Sequence, residues 1–451
     1  MSGAMSSIFA AEINTTAMLN KTPDFGDQTY LDASLSKLIG GLPPSGILKI
    51  ANEIRALTAA GRTVINLTVG DFDPVHFPIP DKLLYEIQRA LADGATNYPP
   101  PLGSLSLRQR VSEYVERSSG VRYPIESILI ASGGRPILFG AYRTVVSPGD
   151  TVVYSVPSWQ NEAYIWLSEA NAVVLQAKSE NGFQPTLDEL APYLQSARLI
   201  CLCSPGNPTG TAMDPETFQS ILEAVVDENK RRQREGKERP LFVLYDQIYG
   251  AMRVKDNKHR YAAAIVPESA PYVMSMDGVS KAFAGTGLRV GWLLAAPAIV
   301  RKMGELLSHV GTWAPHAEQV GTAELLADAD AIREYRSEMD RKVHERLEAV
   351  YAGFAAMRTE GLPVDCIYPE GAIYLSLQLR LHGKRIAGCR IDSNEEIRSL
   401  LLERAGAAVV PFQAFGLEDE TGWFRLSVGA VSMREIREIF PRVRALLNEM
   451  E

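Results

Sequence analysis

From Ser127 onward the sequence alternates short β-rich runs with helix-like segments, and this alternation restricts the fold more than any other feature. The runs are Ser127 to Ser132, Thr151 to Val156, Asn171 to Ala177, Arg198 to Ser204, Leu241 to Asp246 and Tyr272 to Met276. Strands alternating with amphipathic helices build βαβ units, so an α/β fold around a largely parallel sheet is expected. In such sheets ligands bind beyond the carboxyl ends of the strands. After about residue 315 the pattern changes to long helical stretches, residues 317–327 and 331–358, then to short strands around 372–378 and 424–428. A smaller α+β domain is expected there, completed by a helix over Ser45 to Ala60. The expected organisation is thus an N-terminal arm over residues 1–44, a small domain built from 45–65 and 318–451, and a large domain over 66–317.

At 451 residues the chain is too long for one small core, which agrees with that division. A net charge of -8 gives no general reason to bind nucleic acid or an anionic membrane. Any site for an acidic ligand must therefore be a local cluster of cations. The longest apolar run that suggests a membrane helix, Gly291 to Val300, is short and broken by Pro297. Residues 1–20 lack the basic start and apolar centre of a secretory signal, so a cytoplasmic location is expected. Cys201, Cys203, Cys366 and Cys389 are too scattered for a disulfide framework, and the six histidines lack the paired spacing of a zinc site. No metal is expected. The mixed-charge run from Asp227 to Arg239 reads as a solvated helix extension and loop.

Chemistry concentrates in four places. Lys281 lies among small residues in Gly278-Val279-Ser280-Lys281-Ala282-Phe283-Ala284-Gly285, and Arg289 follows eight positions later. Burial and a neighbouring cation both lower a lysine's pKa, as a Schiff-base lysine for pyridoxal phosphate requires. Ser132-Gly133-Gly134-Arg135-Pro136 stands between a strand and an apolar helix, where free amides favour a phosphate; an ordinary turn is the alternative. Asp246 ends a strand, and its carboxylate there needs a cationic partner such as a protonated pyridine nitrogen, unless it caps a following helix. Ser204-Pro205-Gly206-Asn207-Pro208-Thr209-Gly210 is a rigid polar loop suited to presenting the Asn207 amide to a fixed group.

With these motifs in this order, the sequence resembles the fold-type I, class I and II pyridoxal-phosphate aminotransferases, from about residue 45 to the C-terminus. Ser204 to Gly210 is similar to the family's SPxNPTG loop, Tyr245-Asp246-Gln247-Ile248-Tyr249 to its YDEIY strand end, and Ser280 to Arg289 to its SKxxxxxGxR motif. The resemblance implies a three-layer α/β/α large domain with a mainly parallel seven-stranded sheet. It implies that Lys281 holds the cofactor and shuttles the proton, that Asp246 holds the pyridine nitrogen, and that Asn207 and Tyr249 hydrogen-bond the phenolate oxygen. Gly133, Gly134, Arg135, Ser280 and Arg289 would cradle the phosphate, and Trp159 would stack on the ring. Gly70 and Arg425 would lie over and grip the substrate carboxylate. Tyr98 would reach the cofactor phosphate of a neighbouring subunit, implying a homodimer with shared sites.

Three positions depart from the family pattern: Gln247 replaces the usual acidic residue, Leu288 the frequent aromatic, and Gly278 a phosphate-binding serine. The implied reaction moves the amino group of an L-amino acid to a 2-oxo acid by a ping-pong mechanism. Arg135 hints at aspartate or glutamate as the substrate, although it would also serve the phosphate. A lyase performing β-elimination on the same fold, and an aromatic or neutral amino acid aminotransferase, remain open alternatives.

Overall fold

Seven strands form the main sheet: β1 (Ile128–Ala131), β2 (Thr151–Val156), β3 (Asn171–Gln176), β4 (Ala197–Cys203), β5 (Phe242–Asp246), β6 (Val273–Gly278) and β7 (Gly291–Leu294). The computed structural model describes residues 22–43, 46–236, 239–252, 254, 259–386 and 388–450. The strand order is β1-β7-β6-β5-β4-β2-β3, and β7 alone runs antiparallel to its neighbours. The central strands are continuous apolar runs, as a sheet covered on both faces needs. Leu138, Tyr142, Met303 and Leu307 pack on one face. Phe218, Ile221, Leu222 and Val225 cover strands on the other. All six expected runs fall on strands. Strand β7 is the addition: it opens the apolar run from Gly291 to Val300, which continues into a helix at Pro297, so periodicity does not separate the two.

The helices include α1 (Gly46–Ala59), α2 (Gly134–Val145), α3 (Pro215–Arg234) and α4 (Ala329–Thr359). A second sheet contains β8 (Val364–Cys366), β9 (Tyr374–Leu379), β10 (Val410–Pro411) and β11 (Trp423–Ser427), ordered β10-β11-β9-β8 and wholly antiparallel. Leu375, Leu377, Phe424 and Leu426 of this sheet share a core with Val343, Leu347, Val350 and Phe354 of α4. Residues 43–451 form one compact unit by their contacts.

The described residues before it form a separate unit with short helices at Gln28–Asp32 and Lys37–Gly40, capped by the side chains of Asp27 and Ser36. Residues 1–21 and 44 of the expected arm lie outside the described residues. Among the described residues, no helix is long and apolar enough to cross a membrane.

The charged run at the end of α3 departs from expectation. Glu228, Asn229 and Arg232 are buried rather than solvated. Arg232 donates to Glu228 Oε1 at 2.7 Å and to the carbonyls of Leu194 and Ala197, each at 2.8 Å. Asn229 accepts from the Leu241 amide at 2.8 Å and donates to its carbonyl at 2.9 Å. These side chains tie the helix to loop backbone and to the residue preceding β5, which mixed charge in a sequence does not reveal.

Candidate active site

Strands β1, β2, β4, β5 and β6 point their carboxyl ends toward one edge of the sheet, and each delivers a polar residue there. Gly134 and Arg135 follow β1, Trp159 follows β2, Asn207 follows β4, Asp246 closes β5, and Ser280 and Lys281 follow β6. These residues line one cavity of about 730 Å³ together with Gly70, Tyr249, Arg289 and Arg425. The segment from Val279 to Val290 carries both Lys281 and Arg289 between β6 and antiparallel β7, whose ends meet at the Gly278–Gly291 pair.

Lys281 Nζ donates to the Gly70 carbonyl at 2.6 Å and lies 5.8 Å from the Tyr249 ring centroid. Burial pulls its pKa down to about 8; Asp71 opposes this, while Arg425, Arg289 and Arg135 reinforce it. Asp246 accepts the Ile248 amide at 3.1 Å. Burial raises its carboxyl to about 6 against that hydrogen bond and the nearby Lys281. A turn rather than a helix follows Asp246, so helix capping does not account for it.

Gly133 and Arg289 form one construction. Gly133 has a φ of 83°, and a Cβ there would stand 2.4 Å from Arg289 Nη2. Arg289 itself adopts a left-handed φ of 56°, uncommon for a non-glycine residue. Its guanidinium donates to the Thr286 carbonyl at 2.6 Å and to the Ser132 carbonyl at 3.1 Å. That cation is thereby fixed beside the start of α2, where amides without helical partners favour an anion. Arg135, exposed at the same helix start, places its guanidinium carbon 5.4 Å from the Trp159 ring centroid.

Arg425, on β11, is 1% exposed. It donates to Asn207 Oδ1 at 3.0 Å and to the Thr68 carbonyl. Its guanidinium carbon lies 4.7 Å from the Tyr374 ring centroid and 4.9 Å from that of Phe415. Its Nε has no partner among the described residues, and burial lowers its pKa. A Cβ at Gly70 would come within 2.8 Å of the Tyr374 hydroxyl and 3.6 Å of Arg425 Nη1, so a side chain there would crowd both.

Two expected site residues do not line the cavity. Gly133 stands directly behind it against Arg289. Tyr98 is 85% exposed, with its ring edge-on to Trp313 at 5.1 Å. Conversely, Tyr374, Asp71 and Arg55 line the cavity without having been expected. Tyr374 could have been found from its place in a strand-like run of the same domain as Arg425, because a buried tyrosine hydroxyl needs a partner. Asp71 adjoins Gly70 but carried no motif, and Arg55 looks like any solvated helix residue.

The family model described as aminotransferase class I and II matches residues 62–443. An aspartate aminotransferase of Streptomyces avermitilis is 29% identical over 420 residues, covering 92% of this chain and 97% of the relative. An aspartate/prephenate aminotransferase of Cereibacter sphaeroides is 29% identical over 417 residues, covering 92% and 98%. The crystal structure of the aspartate aminotransferase from Rhizobium meliloti matches with a TM-score of 0.83 at 27% identity, covering 92% of this chain and 99% of that one. A match running through both sheets and every strand that supplies the cavity settles the family: the chain belongs to the class I and II aminotransferases, which work with pyridoxal phosphate.

Proposed function

We propose that this aminotransferase takes the amino group from an acidic L-amino acid and gives it to a 2-oxo acid in a ping-pong cycle, with Lys281 as attachment point and proton carrier. The observation that carries this reading is the convergence of the Lys281 amine and the Arg425 guanidinium on one cavity. The first is a base made available near neutral pH, and the second is a fork suited to a carboxylate.

The residues present fit pyridoxal phosphate. Asp246 is a carboxyl raised by burial with one side-chain hydrogen bond among the described residues, and so suits a basic ring nitrogen. Arg289, Arg135, Ser280 and the amides around Gly133 and Gly134 suit a phosphate. Trp159 offers a flat face, and Asn207 and Tyr249 offer donors for a phenolate oxygen. When bound, the cofactor supplies a ring that accepts the electrons released as the substrate α-proton leaves. Asp246 keeps that ring's nitrogen protonated. Arg425 orients the substrate carboxylate, Gly70 leaves room above it, and Lys281 takes the α-proton and returns it.

Arg135 supports the acidic preference: it is exposed at the cavity and has no carboxylate partner among the described residues. The relatives named as aspartate aminotransferases support it too. In this reading Tyr98 completes the phosphate site of a second copy in a homodimer, which suits an exposed aromatic. Residues 45–65 and 318–451 would act as a small domain and 66–317 as a large one, following in sequence an N-terminal arm over 1–44. A cytoplasmic location suits the unpaired Cys201, Cys203 and Cys366.

A single-turnover screen tests the substrate. Loaded enzyme without acceptor should yield one equivalent of 2-oxo acid per site from aspartate or glutamate. Turnover only with aromatic or neutral donors would remove the acidic preference, and release of ammonia with pyruvate would remove transamination as the main reaction.

A further inference from the structure

We infer that Tyr374 is a positioning residue for this reaction: its hydroxyl donates to the Tyr249 hydroxyl and so leaves the Tyr249 proton free for the cofactor's phenolate oxygen. This rests on the reading of Tyr249 as a phenolate partner. The two hydroxyls are hydrogen-bonded and their rings meet edge-to-face, with centroids 5.4 Å apart. Each phenol has a single proton, so the pair has two possible directions. Tyr374 is 0% exposed, and its hydroxyl has no other hydrogen-bond partner among the described residues. If Tyr249 were the donor, the Tyr374 proton would be left buried without an acceptor, which is unfavourable. With Tyr374 as donor both protons are used once the cofactor is bound.

The surroundings hold the Tyr374 ring in place. The Tyr374 ring is fixed by the Arg425 guanidinium and by strand pairing to Ser427. Its hydroxyl occupies the space that a Gly70 side chain would need. The charged and titratable groups facing the pair are Arg425, Lys281, Asp71 and Cys203. None of these four is hydrogen-bonded to either phenol among the described residues. An accepted hydrogen bond polarises the Tyr249 O–H and strengthens it as a donor. A stronger donor stabilises the phenolate and lowers the pH at which the lysine-bound cofactor loses its proton.

The test is the pH midpoint of the bound cofactor's absorbance band. Tyr374→Phe, which keeps the ring against Arg425, should raise that midpoint by about 0.5 unit. In a Tyr249→Phe background the same change should have no further effect. Placing 3-fluorotyrosine at 374, a stronger donor of nearly the same shape, should lower the midpoint and gives a second reading should the Phe variant fold poorly. A midpoint that ignores both changes overturns the inference while leaving the site intact. Wild-type protein with no pH-dependent cofactor band would instead overturn the underlying assignment of Tyr249 and Lys281.

Discussion

Arg232 and Arg425 are both buried arginines, and the difference between them separates support from function. Arg232 is 7% exposed and fully engaged, with Glu228 at one side and backbone carbonyls around the rest. Burial alone would raise the Glu228 carboxyl, but hydrogen bonds from Arg231 and Arg232 hold it below its ordinary value. Arg425 is more deeply buried, yet it has no carboxylate partner among the described residues and its Nε is unpartnered. A buried ion with its partners in place fixes structure, and one left short of partners is prepared for a ligand that brings the missing charge.

The largest effect is expected at Arg425. Arg425→Ala should reduce kcat/KM for the amino acid about 1,000-fold, since an oriented, desolvated carboxylate loses its fork. Its apo-protein should unfold at nearly the same denaturant concentration as wild type. A loss of stability as large as the loss of activity would make Arg425 a structural residue like Arg232.

Arg232→Met should do the reverse. Removing one partner of a buried pair leaves Glu228 leaning on Arg231 alone and several carbonyls without a donor, a loss of about 3 kcal/mol. Turnover per folded molecule should stay at the wild-type value. Chemical denaturation alongside active-site titration separates the two quantities, and a fall in turnover with unchanged stability would undo the assignment.

The same contrast explains what the sequence disclosed. Lys281, Asp246 and Asn207 each follow or end a strand-like run, and each is an unusual residue for its place, so local pattern singles them out while their roles come from the family resemblance. The Arg425–Asn207 hydrogen bond and the Tyr249–Tyr374 pair join residues far apart in the chain, and no local pattern encodes their approach. Family resemblance points to Arg425, and no motif in the sequence points to Tyr374. Glu228 and Arg232 depart from the expected solvated helix end for the same reason, because their charge is visible in sequence and the burial of Arg232 against the 194–197 backbone is not. Strand β7 is not separable in the sequence because its apolar run continues into the helix at Pro297.

Lys281 gives the smallest effect and the sharpest sign. Its pKa is about 8 in the fold against an ordinary 10.5. Below pH 8 the amine is protonated in both folded and unfolded chains, and the folded state bears the full unfavourable effect of burying the charge. Between pH 8 and 10.5 the unfolded chain holds a proton that the fold has released, so stability contributed through Lys281 rises with pH. Lys281→Met should therefore raise the melting temperature of the cofactor-free protein at pH 7 and flatten that rise. Asp277, raised by burial to about 8, imposes an opposite trend, falling from about pH 4 to 8, so the difference between wild type and variant is the quantity to follow. The free-amine fraction also predicts that cofactor capture by the apo-protein accelerates about fivefold from pH 7 to 8, about twofold more to pH 9, and levels off above that. Arg232→Met should leave the pH profile of capture unchanged in shape, since Arg232 does not line the cavity; a capture rate independent of pH would show that Lys281 is not the buried, depressed amine of the folded protein.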